Sequence, residues 1–224
     1  MLKRVKLCDR VLPDYCLGEE ITNTVTHIIG GLGGILALVL CLAKAIALHG
    51  AVEITAAAVY GCCLIILYSI SSIYHGLRPS MAKKVMQVLD HCAIYFLIAG
   101  SYTIITLSAI RQADPVLGWS MFAVEWVLCI IATVLTAIDL KRYEIFSMIC
   151  YIGMGWAILP FCGKIYGILG PAGFAFLLSG GIAYTVGAVL YGIGVKVKWM
   201  HSVFHVFVVL GSALHFFAFY VYGL

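Results

Sequence analysis

Residues 25–48 read VTHIIGGLGGILALVLCLAKAIAL, twenty-four positions whose one formal charge is Lys44. As a helix rising 1.5 Å per residue this stretch reaches about 36 Å, enough to cross the roughly 30 Å hydrocarbon core of a bilayer. Further apolar stretches run from Ile54 to Gly76, Val88 to Ile110, Trp119 to Ile138, Ile145 to Cys162, Tyr166 to Val195 and Trp199 to Tyr220. The breaks between them carry turn or charge signals: His49-Gly50, Arg78-Pro79, Asp114-Pro115, Asp139 to Glu144, and Lys196 to Lys198. Gly170-Pro171 reads as either a kink or a boundary. The expectation is an all-α integral membrane protein, a seven-transmembrane-helix bundle. A short amino-terminal segment, residues 1–24, precedes a membrane domain over 25–224.

Composition points the same way, since 63% of the 224 residues are apolar and 11% are charged. A chain of this size has too little interior to hide so much apolar surface, so lipid must act as its solvent. The net charge of +4 does not imply nucleic acid, because the basic residues sit in short clusters between apolar stretches. The polar first twenty residues do not read as a cleaved signal peptide. The nine cysteines lack CxxC spacing, and most fall inside apolar stretches, so they read as packing residues.

Charge sets the orientation. With the amino terminus cytoplasmic, that side receives Lys3, Arg4, Lys6, Arg10, Arg78, Lys83, Lys84, Lys141, Arg142, Lys196 and Lys198; the outer side receives Arg111 and Lys164. Eleven against two is a positive-inside pattern, and an odd number of crossings leaves the carboxyl terminus outside. Gly30 and Gly34, spaced GxxxG, permit close helix approach.

Ionisable groups inside a membrane are expensive, and they mark functional sites. His201 and His205 stand four apart, on one helix face. His75 precedes Arg78 by three residues, and Asp90 follows Lys84 by six. In the inferred topology these four groups lie within roughly 5 to 11 Å of one cytoplasmic boundary and can meet. Ser71, one turn before His75, is placed to bond a water or a carboxylate. His91 points about 100° away from Asp90, toward a neighbouring helix. His215 stands about 21 Å beyond His201 and Glu125 near the outer face, so neither shares the centre; Glu125 reads as a hydrogen-bonded packing group. Three imidazoles with an open fourth position suit Zn2+, which lowers the pKa of a bound water to about 7, and Asp90 can take that proton.

The ordered set Glu19, Glu20, Asn23 and His27, then Ser71 to His75 as SxxxH, Leu89-Asp90-His91, Ala99 to Thr103, and His201 to His205 resembles the hemolysin III proteins of bacteria, within the progestin and adipoQ receptor family. That resemblance implies zinc ligands at His75, His201 and His205, with Asp90 and Ser71 near the water. Asn23 and His27 are implied as supporting or structural residues. It further implies a bacterial inner-membrane location with lipids as partners. Three functions stay open: a zinc hydrolase cleaving a lipid amide or ester, a non-enzymatic zinc-stapled regulator of membrane fluidity, and a pore.

Overall fold

The computed structural model describes residues 5–48 and 50–224; Lys3, Arg4 and His49 lie outside them. Among the described residues the chain is helical and contains no strand. Six stretches are long and apolar enough to cross a membrane: Leu17–Leu48 (α1), Ala51–Gly76 (α2), Met81–Ala113 (α3), Pro115–Ile138 (α4), Glu144–Gly194, and Met200–Gly223 (α7). The fifth comprises two helices, Glu144–Gly155 (α5) and Cys162–Gly194 (α6), joined by a turn and a short 3-10 segment at Leu159–Phe161.

The reversal within this stretch is not at Lys164, where the charge placed it. Gly170 has φ 68° and ψ 174°, a backbone region essentially open to glycine alone, and Pro171 follows. Residues equidistant from Gly170 face each other. Tyr166 packs edge-on against Phe174 at 5.7 Å, and the Trp156 indole donates to Thr185 Oγ1 at 2.9 Å. The chain therefore doubles back at Gly170, while Lys164 stays helical and pairs with Asp114 across the loop end.

Helix α1 shows how such a sequence packs. Its buried residues are Glu19, Asn23, His27, Gly30, Gly34, Ala37, Cys41 and Ala45, a polar and small-residue stripe at helical spacing. Leu32, Leu36 and Val39 point outward, where lipid rather than protein covers them. The stripe lets α2 come close, because a Cβ on Gly30 would stand 2.5 Å from the Tyr68 ring. Helix α1 starts at Leu17, eight residues before Val25, because the charges that suggested an aqueous segment are satisfied inside the bundle. Glu19 accepts from the amides of Trp199 and Cys16, and Glu20 from Lys83.

The most buried span is α3, with 78% of its apolar window covered against 11% for Glu144–Gly194, so α3 is central. Helix α1 packs on α2 and α7, α2 on α3, α3 on α4, and α6 on α7. Polar pairs gather at the two ends. Glu53–Arg111 and Asp114–Lys164 occupy one; Glu20–Lys83, Glu19–Trp199 and Val5–Asp139 occupy the other. All nine cysteines are free thiols.

Candidate metal centre

His75 is the penultimate residue of α2, and His201 and His205 occupy the first two turns of α7. Interhelix packing brings the three rings together in the interior, at 2, 7 and 1% exposure. His75 Nε2 lies 3.4 Å from His201 Nε2, which lies 3.1 Å from His205 Nε2. Each ring offers one ligand atom, and all three atoms fall within 4.8 Å of one another.

His75 Nδ1 stands 2.6 Å from Glu20 Oε2, whose second oxygen takes a 2.6 Å bond from Lys83 Nζ. A carboxylate accepts only, so the ring proton sits on Nδ1 and the Nε2 lone pair is bare. One further N–H, on His201 or His205, can lie along only one of the two Nε2 contacts. As bare imidazoles the trio therefore leaves lone pairs facing each other. A cation satisfies all three, and nitrogens bonded to zinc at 2.0–2.1 Å in a tetrahedron would stand about 3.3 Å apart. The two contacts at 3.4 and 3.1 Å match that separation.

The shell around the cluster is aromatic and polar. Tyr15 stacks on the His201 ring at 4.7 Å, and His27 on His205 at 3.8 Å. Asn23 Nδ2 lies 3.3 Å from His75 Nδ1 while its Oδ1 has no partner among the described residues, so turning the amide over would let the oxygen accept the Nδ1 proton. Lys83 is 3% exposed and also donates to the Leu77 carbonyl at 2.9 Å, so it belongs to the site and not to the charged surface.

Ser71 is buried one turn before His75, and it lines the same cavity as Asp90 and His91. Asp90 is partly exposed, but toward an internal cavity of about 620 Å³. That cavity also touches His27, His201 and His205, and it runs on between α3, α5 and α6 to His215. His91 turns away from the cluster, its Nε2 3.2 Å from the Tyr191 hydroxyl of α6. His215 sits apart, its Nε2 3.1 Å from the Leu177 carbonyl. Glu125 differs from the expectation of a hydrogen-bonded packing group. It is buried, and neither carboxyl oxygen has a partner among the described residues.

Two contributors were not legible as site residues. Tyr15 lies before the first span, and Lys83 read only as a topological charge. Glu20 stood in the α1 motif without a role. The signal available for it was an acidic pair at the start of an apolar helix, where a carboxylate needs a buried partner.

Helices of this length and apolarity, wrapped round a buried histidine trio, define a multi-span helical membrane protein whose centre can hold a metal ion. The chain matches the model of the family described as Haemolysin-III related over residues 15–216, and it belongs to that family, within the progestin and adipoQ receptor group. It is 39% identical to Hemolysin-3 of Bacillus cereus over 206 residues, 91% of this chain and 92% of that one. The Hemolysin-3 homolog of Bacillus subtilis (strain 168) is 34% identical over 203 residues, 91% and 93% of the two chains. The human monocyte to macrophage differentiation factor is 24% identical over 171 residues, 73% and 68% of the two chains.

Proposed function

We propose that this protein is a zinc-dependent hydrolase of the bacterial plasma membrane, cleaving an ester or amide bond in a lipid. The observation that carries the reading is a buried histidine trio, two of whose members, His201 and His205, share the wall of one large cavity with Asp90 and Ser71. His75, His201 and His205 would hold the ion, which supplies Lewis acidity and an acidified water when bound. Glu20, braced by Lys83, keeps the His75 lone pair directed at the centre. Asp90 faces the cavity beside the trio and serves as the base, taking a proton as the scissile carbonyl is attacked. Ser71, on the wall of the same cavity, is placed to orient that carboxylate. Leu97, Ile98 and Val208 on the cavity wall receive the acyl chain.

The reading includes seven crossings, the amino terminus cytoplasmic and the carboxyl terminus outside. The reversal at Gly170 supports it, because it divides Glu144–Gly194 into two antiparallel passes of 26 and 24 residues on either side of the glycine. The segregation of Arg111 and Lys164 from the other basic residues supports the orientation.

A second reading has its own observation: the cluster and its ring stacks tie α1, α2 and α7 together, as a zinc staple in a fluidity regulator would. The apolar depth of the cavity argues against a pore. Incubating the purified, zinc-loaded protein with total membrane lipid, and measuring released fatty acid by mass spectrometry, separates the two. The hydrolase predicts release that stops on chelation. No release from the zinc-loaded protein would favour the staple.

A further inference from the structure

Arg10 lies in the segment ahead of α1 and is 8% exposed, yet its Nε and Nη1 have no hydrogen-bond partner among the described residues. No carboxylate forms an ion pair with it there. The neighbouring Asp139 already accepts from the amides of Val5 at 3.1 Å and Arg142 at 3.2 Å. A guanidinium does not lose its proton, so burying it with idle donors is costly unless an anion completes the site.

Two spaces meet at this side chain. Arg10 lines the cavity that reaches His201 and His205, and it also lines a groove of about 610 Å³ walled by Val85, Val88 and Leu89 of α3 and Ala137 and Ile138 of α4. Apart from Lys6 and Arg10 the groove is apolar, which suits an acyl chain under an anionic headgroup and not a dissolved anion. Lys141, Lys196 and Lys198 line the cavity too, with Asp14 and Glu144; all five are exposed and hydrated, so the buried fork of Arg10 decides what binds. From Arg10 to Tyr15, which stacks on His201, five residues span at most about 18 Å. One bilayer leaflet with its headgroups is about 20 Å thick, so a single lipid can touch both places.

We infer that Arg10 is the seat of a phospholipid phosphate, with the acyl chains lying in the apolar groove and cavity and the glycerol region turned toward the histidine cluster. This names the substrate class for the hydrolase reading and rests on it, but it is a statement about binding and is tested without turnover. The full-length, zinc-loaded protein in detergent is titrated with phosphatidylglycerol, with diacylglycerol of the same chains, and with inorganic phosphate, and bound species are read by native mass spectrometry. Arg10→Gln should weaken phosphatidylglycerol retention about tenfold or more, the scale of a charge-assisted hydrogen bond. Arg10→Lys should recover part of it, diacylglycerol retention should change little, and millimolar phosphate should not compete. Zinc content, read in the same spectra, should match wild type in both variants. Unchanged phosphatidylglycerol retention in Arg10→Gln would overturn the proposal, as would an equal loss of diacylglycerol or displacement of the lipid by inorganic phosphate. Absence of lipid cleavage by the wild type would instead count against the hydrolase reading and leave these binding differences standing.

Discussion

Glu19 Oε1 accepts the backbone N–H of Trp199 at 2.6 Å, bridging the first turn of α1 to the residue that caps α7. Trp199 is the sole non-glycine residue with positive φ among those described, at 68°. Two residues later comes His201. The carboxylate thus holds the turn from which two of the three clustered histidines project, and the Trp199 ring rests on Gly18. Because left-handed backbone costs a residue with a Cβ roughly 1 kcal/mol relative to glycine, Trp199→Gly should be more thermally stable than Trp199→Ala, though both lose the ring contact. Equal melting temperatures would show that the turn is not under backbone strain.

Zinc content is expected at one ion per chain. His75→Ala, His201→Ala and His205→Ala should each lose most of it, and His215→Ala should keep it, since that ring bonds the Leu177 carbonyl away from the cluster. Elemental analysis of the purified variants decides this. Chelation should lower the melting temperature as well, because a ligand present at a hundred times its Kd stabilises the folded state by about 2.7 kcal/mol.

Glu20→Gln removes the charge that fixes the His75 ring proton and leaves Lys83 buried without its anion. Metal affinity should fall about 10 to 100-fold, the usual cost of losing the partner of a ligating histidine. Competition against a zinc chelator measures it. Affinity equal to wild type would mean that Asn23 alone orients the ring.

Asp90→Asn separates chemistry from scaffolding. Assayed in saturating zinc, this variant should stay folded and metal-loaded, yet release lipid fragments about 10² to 10⁴-fold more slowly than wild type, the scale of a lost general base. Complementation of a deletion strain gives the cellular counterpart. Full rescue would favour the staple.

The topology is checked by fused reporters. One placed after Leu224 should read as external, and one before Met1 as cytoplasmic. Both on the same side would mean that Glu144–Gly194 crosses once, despite the reversal at Gly170.

The sequence by itself determined that this chain lives in a membrane, because hydropathy along the chain is a local property and lipid imposes a fixed length on each crossing. It also determined the grouping of His75, His201 and His205, since each stands a countable number of residues from a charge that marks the boundary, and helical rise converts that count into depth. Tertiary structure alone decided what lies beside them at the same depth. Nothing local distinguishes Lys83 from Lys84, yet Lys83 is buried against Glu20 while Lys84 reaches the Cys8 carbonyl at the surface. Tyr15 and Arg10 were invisible for the same reason, because their positions follow from how the segment before α1 folds back beneath the bundle. The place where the fifth stretch reverses was also decided in three dimensions. Lys164 is the stronger charge signal, but it finds a partner in Asp114 and stays helical, whereas Gly170 can take a φ of 68° that few other residues tolerate.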